Sequence, residues 1–131
     1  MDVTPNQTLE SNHFDQVALE YHFISTLFHA SEFYIDNMPQ SRTLALELGC
    51  GSGLLVKDLA QYFDLVIGID LSFELLSIAQ HNSTKRNIMY LLMNIENLGL
   101  VGQFDYIVSS NVFHHLSDVE STLSVIKSLL K

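Results

Sequence analysis

Apolar residues fall into two kinds of pattern along this chain, and the change comes near Thr43. Upstream, Phe14, Val17, Ala18, Tyr21, Ile24 and Phe28 recur three or four residues apart, which puts them on one face of a helix. Asn12 stands just ahead as an N-cap. A second short helical stretch over 31–38 is closed by Pro39, which disfavours a helical residue before it. From Thr43 on, short apolar runs predict four strands, over 43–48, 65–69, 88–93 and 105–109, the first two read as buried. Helical spacing fills the gaps. Leu55, Leu59 and Phe63 form one stripe over 54–63. Ser72 caps the next helix, Glu74 in its first turn suits the helix dipole, and Leu75, Leu76, Ile78 and Ala79 form its inner face. Ser117-Asp118-Val119-Glu120 has the spacing of a capping box, and Val119, Leu123, Ile126 and Leu130 are read as the inner face of the last helix.

Strands alternating with helices predict an α/β fold of one domain over 1–131. Its sheet is mostly parallel, with right-handed crossovers and helices on both faces. The expected strand order is 3-2-1-4. In such a sheet, ligands bind outside the carboxyl ends of the strands, where the order reverses.

Composition narrows the partners. The chain has 131 residues, 47% of them hydrophobic, enough for a buried core. Its net charge of −9 comes with only six Lys and Arg, which argues against nucleic acid or an anionic membrane as a partner. The single cysteine, Cys50, precludes an internal disulfide and fits a reducing compartment. No basic, apolar leader opens the sequence, and no run approaches the roughly 20 apolar residues of a membrane helix. The expectation is a soluble cytoplasmic protein.

The strongest motif is Glu47-Leu48-Gly49-Cys50-Gly51-Ser52-Gly53, set between a predicted strand and a predicted helix. Glycines permit positive φ and close approach of backbone to a ligand, and the following helix points free N–H groups into the same space. Asp70 ends the next strand, about 20 residues after Gly49, where a carboxylate can accept from two ribose hydroxyls. Taken singly, the glycines could be an ordinary tight turn and Asp70 an N-cap; the pairing favours an adenosine-containing cofactor. A dinucleotide loop has its third glycine one residue later than Gly53, and Glu47 would repel a pyrophosphate. A cofactor bearing an ammonium and a sulfonium would instead be attracted, which points to S-adenosylmethionine (SAM) and not NAD.

On these residues the chain resembles the class I, Rossmann-like SAM-dependent methyltransferases, whose E/D-x-G-x-G-x-G signature matches Glu47 to Gly53. The likeness runs from about Phe14 to the last residue and is nearest the small-molecule branch with the ubiquinone- and menaquinone-type enzymes. The resemblance implies that the turn from Leu48 through Gly49, Cys50, Gly51 and Gly53 packs under the methionine part of SAM. By the same likeness Glu47 holds its amino group, Asp70 takes the ribose hydroxyls and Leu71 lies against the adenine. Where the family often has an acidic residue after the third strand, this chain has Asn94, which can still accept through its amide oxygen, and Ile95, which offers a backbone N–H.

Phe104 to Leu116 resembles the fourth motif of the family, including its paired histidines, which implies Ser109 and Ser110 beside the sulfonium. His114 is the candidate general base towards a small-molecule methyl acceptor; the alternative is that it packs the loop. No metal site is expected, because adjacent histidines diverge. Residues 1–40 are expected as a helical lid with Tyr21 over the cofactor, and 41–131 as the core. The family fold has seven strands and four are legible here, so the sequence reads as stopping after the fourth strand and its helix. Two functions follow: an active methyltransferase whose product is S-adenosylhomocysteine (SAH), or an inactive SAM- or partner-binding remnant. An open strand-four edge would favour homo-oligomers.

Overall fold

A computed structural model describes residues 31–109 and 117–131. The expected helix after Asn12, with Tyr21, and the expected positions of Ser110 and His114 lie outside the described residues. The elements are α1 (Glu32–Asp36), β1 (Leu44–Leu48), α2 (Leu54–Leu59), β2 (Leu65–Asp70), α3 (Phe73–His81), β3 (Ile88–Leu92), a 3-10 turn (Ile95–Asn97), β4 (Tyr106–Val108) and α4 (Val119–Leu129).

The four strands form one parallel sheet in the order β3-β2-β1-β4, as the alternation predicted. Leu46 pairs with Ile67 on one side and Ile107 on the other, so β1 is flanked on both edges and apolar on both faces. Alternation along the strands then divides the core. Ala45 and Val66 meet Leu55, Val56 and Leu59 of α2 and Leu76 of α3 on one face, with Tyr34 and Met38 at its margin. Leu46, Leu48, Ile67 and Ile69 meet Ile126 and Leu129 of α4 on the other. Helices therefore cover both faces, and each side chain fully buried this way contributes about 1.5–3 kcal/mol.

Three local expectations are corrected. The cap of α4 is Asp118, whose carboxylate accepts the Ser121 N–H at 3.1 Å. Ser117 is drawn away by Glu96, which accepts its N–H at 2.7 Å and its hydroxyl at 2.5 Å. The buried residues of α4 are Thr122, Ile126 and Leu129, while Val119, Leu123 and Leu130 are each about 40% exposed or more. Thr122 tolerates burial because its hydroxyl donates to the Asp118 carbonyl at 2.9 Å, which satisfies the polar atom within the helix. Finally, α4 ends at Leu129, and Leu130 is extended and bridges Phe104 in parallel. The Phe104 N–H donates to the Leu129 carbonyl at 2.8 Å and the Lys131 N–H to the Phe104 carbonyl at 3.1 Å. The backbone just ahead of β4 is thus paired, contrary to a wholly open edge. Among the described residues no helix is long and apolar enough to cross a membrane.

Candidate cofactor site

Parallel strands bring all their carboxyl ends to one edge of the sheet. Glu47 and Leu48 of β1, Asp70 of β2 and Ser109 after β4 therefore gather there, where the order reverses around β1. The turn after β1 is built by three glycines in the left-handed region: Gly49 at φ 72°, Gly51 at φ 56° and Gly53 at φ 84°. No other residue type adopts three such angles cheaply. The Cys50 N–H donates to the Ile69 carbonyl at 2.8 Å, and the Gly53 N–H closes the turn on the Cys50 carbonyl at 3.0 Å. The Cys50 side chain is a buried filler whose Sγ presses on Gly68; a Cβ there would lie 2.9 Å from it.

Asp70 is anchored by backbone. One carboxylate oxygen accepts the Gly51 N–H and the other the Ser72 N–H, each at 2.9 Å. The half-buried carboxylate thus ties the glycine turn to the start of α3. Ser72 is fully buried, and its Oγ accepts the Leu75 N–H at 3.1 Å as the cap of α3. Leu71, half-buried, lies between these two residues.

Glu47 has an unusual environment. Its side chain is 2% exposed, and its Oε1 has no hydrogen-bond partner. Burial first, and the neighbouring Asp70 carboxylate second, push its carboxyl well above the usual carboxylate range. Glu47 in turn raises the hydroxyls of Tyr34 and Tyr90 and the thiol of Cys50, each of which is raised first by its own burial. Two carboxyl groups thus share a turn to which the described residues bring no cation. That arrangement suits a positively charged ligand, and the unpartnered Oε1 is the acceptor such a ligand would need. Ser109 has a second buried, unpartnered oxygen at the same end of the sheet.

The other expected contacts are less open. Asn94 is buried, and its amide oxygen accepts the Glu96 N–H at 2.9 Å, capping the 3-10 turn. Ile95 is 8% exposed, leaving mainly its backbone to face a ligand. Among the described residues no cluster of His, Cys, Asp and Glu is placed to hold a metal ion. A recess of about 280 Å³ lined by Gln80, Ser83, Lys85, Ile88, Met89 and Tyr90 opens beside the first residues of β3, away from the strand ends.

The sequence reading missed Tyr90 and Tyr34. Tyr90 reaches under the turn, so that a Cβ on Gly53 would lie 2.5 Å from its hydroxyl oxygen, which has no partner. A tyrosine in the middle of an apolar strand was the available signal, since its hydroxyl must end somewhere. Tyr34 packs at the margin of the same core, its carbonyl accepting the Tyr106 hydroxyl at 2.8 Å.

A family model described as "Methyltransferase domain" matches residues 46–131. The ubiquinone biosynthesis O-methyltransferase of Coxiella burnetii is 33% identical over 89 residues, covering 66% of this chain and 38% of that protein. A malonyl-acyl-carrier-protein O-methyltransferase of Bacillus anthracis is 30% identical over 80 residues, covering 60% and 30%. The chain thus spans about a third of the length of these curated relatives. Among solved structures, the magnesium protoporphyrin IX methyltransferase of Synechocystis with bound SAH superposes with a TM-score of 0.76 at 20% identity, covering 96% of this chain and 68% of that one, a likeness of fold. With its glycine turn, its strand order and a family match over residues 46–131, the chain belongs to the class I SAM-dependent methyltransferase domains.

Proposed function

We propose that this chain binds SAM and takes part in methyl transfer to a small-molecule acceptor by in-line displacement, releasing SAH. The observation that carries the reading is the buried, unpartnered Glu47 oxygen beside a turn of three left-handed glycines and the backbone-anchored Asp70. When bound, SAM supplies a methyl group made electrophilic by its sulfonium. The residues of the chain do the holding. Glu47 accepts from the ammonium, Gly49, Gly51 and Gly53 let backbone come close to the ligand, and Asp70 accepts from the ribose hydroxyls. Leu71, Ile95 and Asn94 are assigned to the adenine, and the family likeness assigns Ser109 and Ser110 to the reacting end. Tyr21 over the cofactor and His114 as a base towards an acidic acceptor complete the proposal.

Positioning is the main contribution asked of the protein, because the leaving group is already activated and alignment alone supplies much of such a rate. The two curated relatives named above are O-methyltransferases, which supports an oxygen acceptor such as a phenol or a carboxylic acid. The test is SAH formation from SAM by the purified chain with a panel of phenols and carboxylic acids. Acceptor-dependent SAH release is expected. SAH formation that no acceptor stimulates would contradict the transfer reading.

A further inference from the structure

We infer that Glu47 is a proton-releasing ligand group: its carboxyl carries a proton in the ligand-free site and gives it up when an ammonium group is seated against it. The inference rests on the cofactor reading above and adds a linkage to it. The geometry gives the reason. Glu47 pairs in register with Gly68, two residues before Asp70, so two carboxyl groups lie at the same end of adjacent strands. The Glu47 side chain is 2% exposed with Oε1 unpartnered, whereas Asp70 is satisfied by the Gly51 and Ser72 N–H groups.

Among the described residues, the titratable groups acting with Glu47 come from three elements and the glycine turn. They are Asp70 of β2, Cys50 of the turn, Tyr90 of β3 and Tyr34 of α1, and none is cationic. Burial and the Asp70 charge both disfavour ionisation of Glu47. A buried carboxylate without a partner is costly, and protonation removes the charge at no structural expense.

An arriving ammonium reverses this balance. The Glu47 O–H bond breaks, its proton passes to solvent, and the ammonium keeps its three protons and donates to the carboxylate. No other bond changes. Below the folded-state pKa of Glu47, apparent affinity then rises by up to tenfold per pH unit. The window from pH 5.5 to 7 lies below the titration of an α-amino group at about 7.7–8.0, so the ligand itself stays protonated. The linkage also separates ligands by their amino-acid arm. SAM and SAH carry the ammonium, whereas 5′-methylthioadenosine presents the same nucleoside without it.

The test is isothermal titration at pH 6 in two buffers of different ionisation enthalpy, whose difference counts protons. For the wild-type chain, net proton release on binding SAM or SAH, up to about one per ligand, is expected, and none for methylthioadenosine. Glu47→Gln should bind SAM with no buffer dependence. Buffer-independent binding of SAM by the wild type overturns the inference. So does equal proton release with methylthioadenosine or in the variant. The wild-type arms decide the matter even if the variant does not fold. Absence of any binding of SAM or SAH overturns the cofactor reading itself, and the linkage with it.

Discussion

Replacing Gly53 by alanine probes how tightly the glycine turn is packed on the sheet. Gly53 sits at φ 84°, and moving an L-residue into that region costs about 1–2 kcal/mol. The added methyl would lie 2.5 Å from the Tyr90 hydroxyl oxygen, 3.0 Å from the Ala79 Cβ and 3.2 Å from the Tyr90 Cζ. Overpacking of that kind costs about 1–3 kcal/mol, so the variant should lose about 2–5 kcal/mol in all. At about 4 °C per kcal/mol for a chain of this size, the unfolding midpoint falls by roughly 8–20 °C. Tyr90→Phe separates the two causes. It removes an oxygen that is buried and unpartnered, so alone it should be near neutral or slightly stabilising. In the Gly53→Ala background it relieves the closest clash and should return about 1–2 kcal/mol, leaving the backbone cost and the tight contact with Ala79. The assay is urea unfolding of the four members of the cycle. A harmless Gly53→Ala, or strict additivity of the two changes, would refute the placement of Tyr90 under the turn.

Three further outcomes follow from the same geometry. Glu47 has a raised folded-state pKa, so its contribution to stability is present below the unfolded value of about 4.3 and is lost as pH rises. Glu47→Gln should therefore raise the thermal midpoint of the ligand-free chain more at pH 7 than at pH 4; equal or lower midpoints at pH 7 would count against a buried, unpartnered carboxyl. Asp105 accepts the Thr43 and Leu44 N–H groups and the Ser41 hydroxyl and pairs with Lys131 at 2.9 Å. Lys131 first, then the Leu44 N–H, hold its carboxyl well below the usual range, so its stabilisation is complete above about pH 3.9 and lost as pH falls further. Asp105→Asn should lower the midpoint at pH 6, with a gap to wild type that narrows in acid below about pH 3.9; a constant gap in a pH series would show another origin. Ser72→Ala removes the cap of α3 and should cost about 1 kcal/mol in urea unfolding, a loss that would be absent if the Leu75 N–H found another partner.

Much of this architecture was legible in the sequence because strands buried on both faces leave few polar residues to confuse the pattern. Leu44 to Leu48 and Leu65 to Asp70 were found for that reason, and the glycines that follow β1 fixed where the chain must turn. The inner face of α4 was misread because hydrophobicity alone favours Val119 and Leu123 over Thr122. A threonine that bonds back to its own helix buries without penalty, and no count of apolar residues registers that. Ser117 was taken for a cap because its spacing to Glu120 fits; the competing carboxylate, Glu96, lies 21 residues away and becomes visible only in the fold. Glu47, the glycines and Asp70 gather at one end of the sheet as their spacing along the chain implied, because the turn and the two strand ends are set locally. Tyr90 and Tyr34 were not legible, since what they touch depends on strand register and on the docking of α1.

The central claim is that this strand-end site takes SAM, and equilibrium dialysis with methyl-labelled SAM tests it most directly. Wild-type chain should bind one SAM saturably, with label displaced by SAH and not by NAD. Asp70→Ala should weaken binding by about tenfold to a hundredfold, the equivalent of about 1.5–3 kcal/mol for hydrogen bonds made to a charged group. Absence of saturable binding, or displacement by NAD in preference to SAH, would contradict the account.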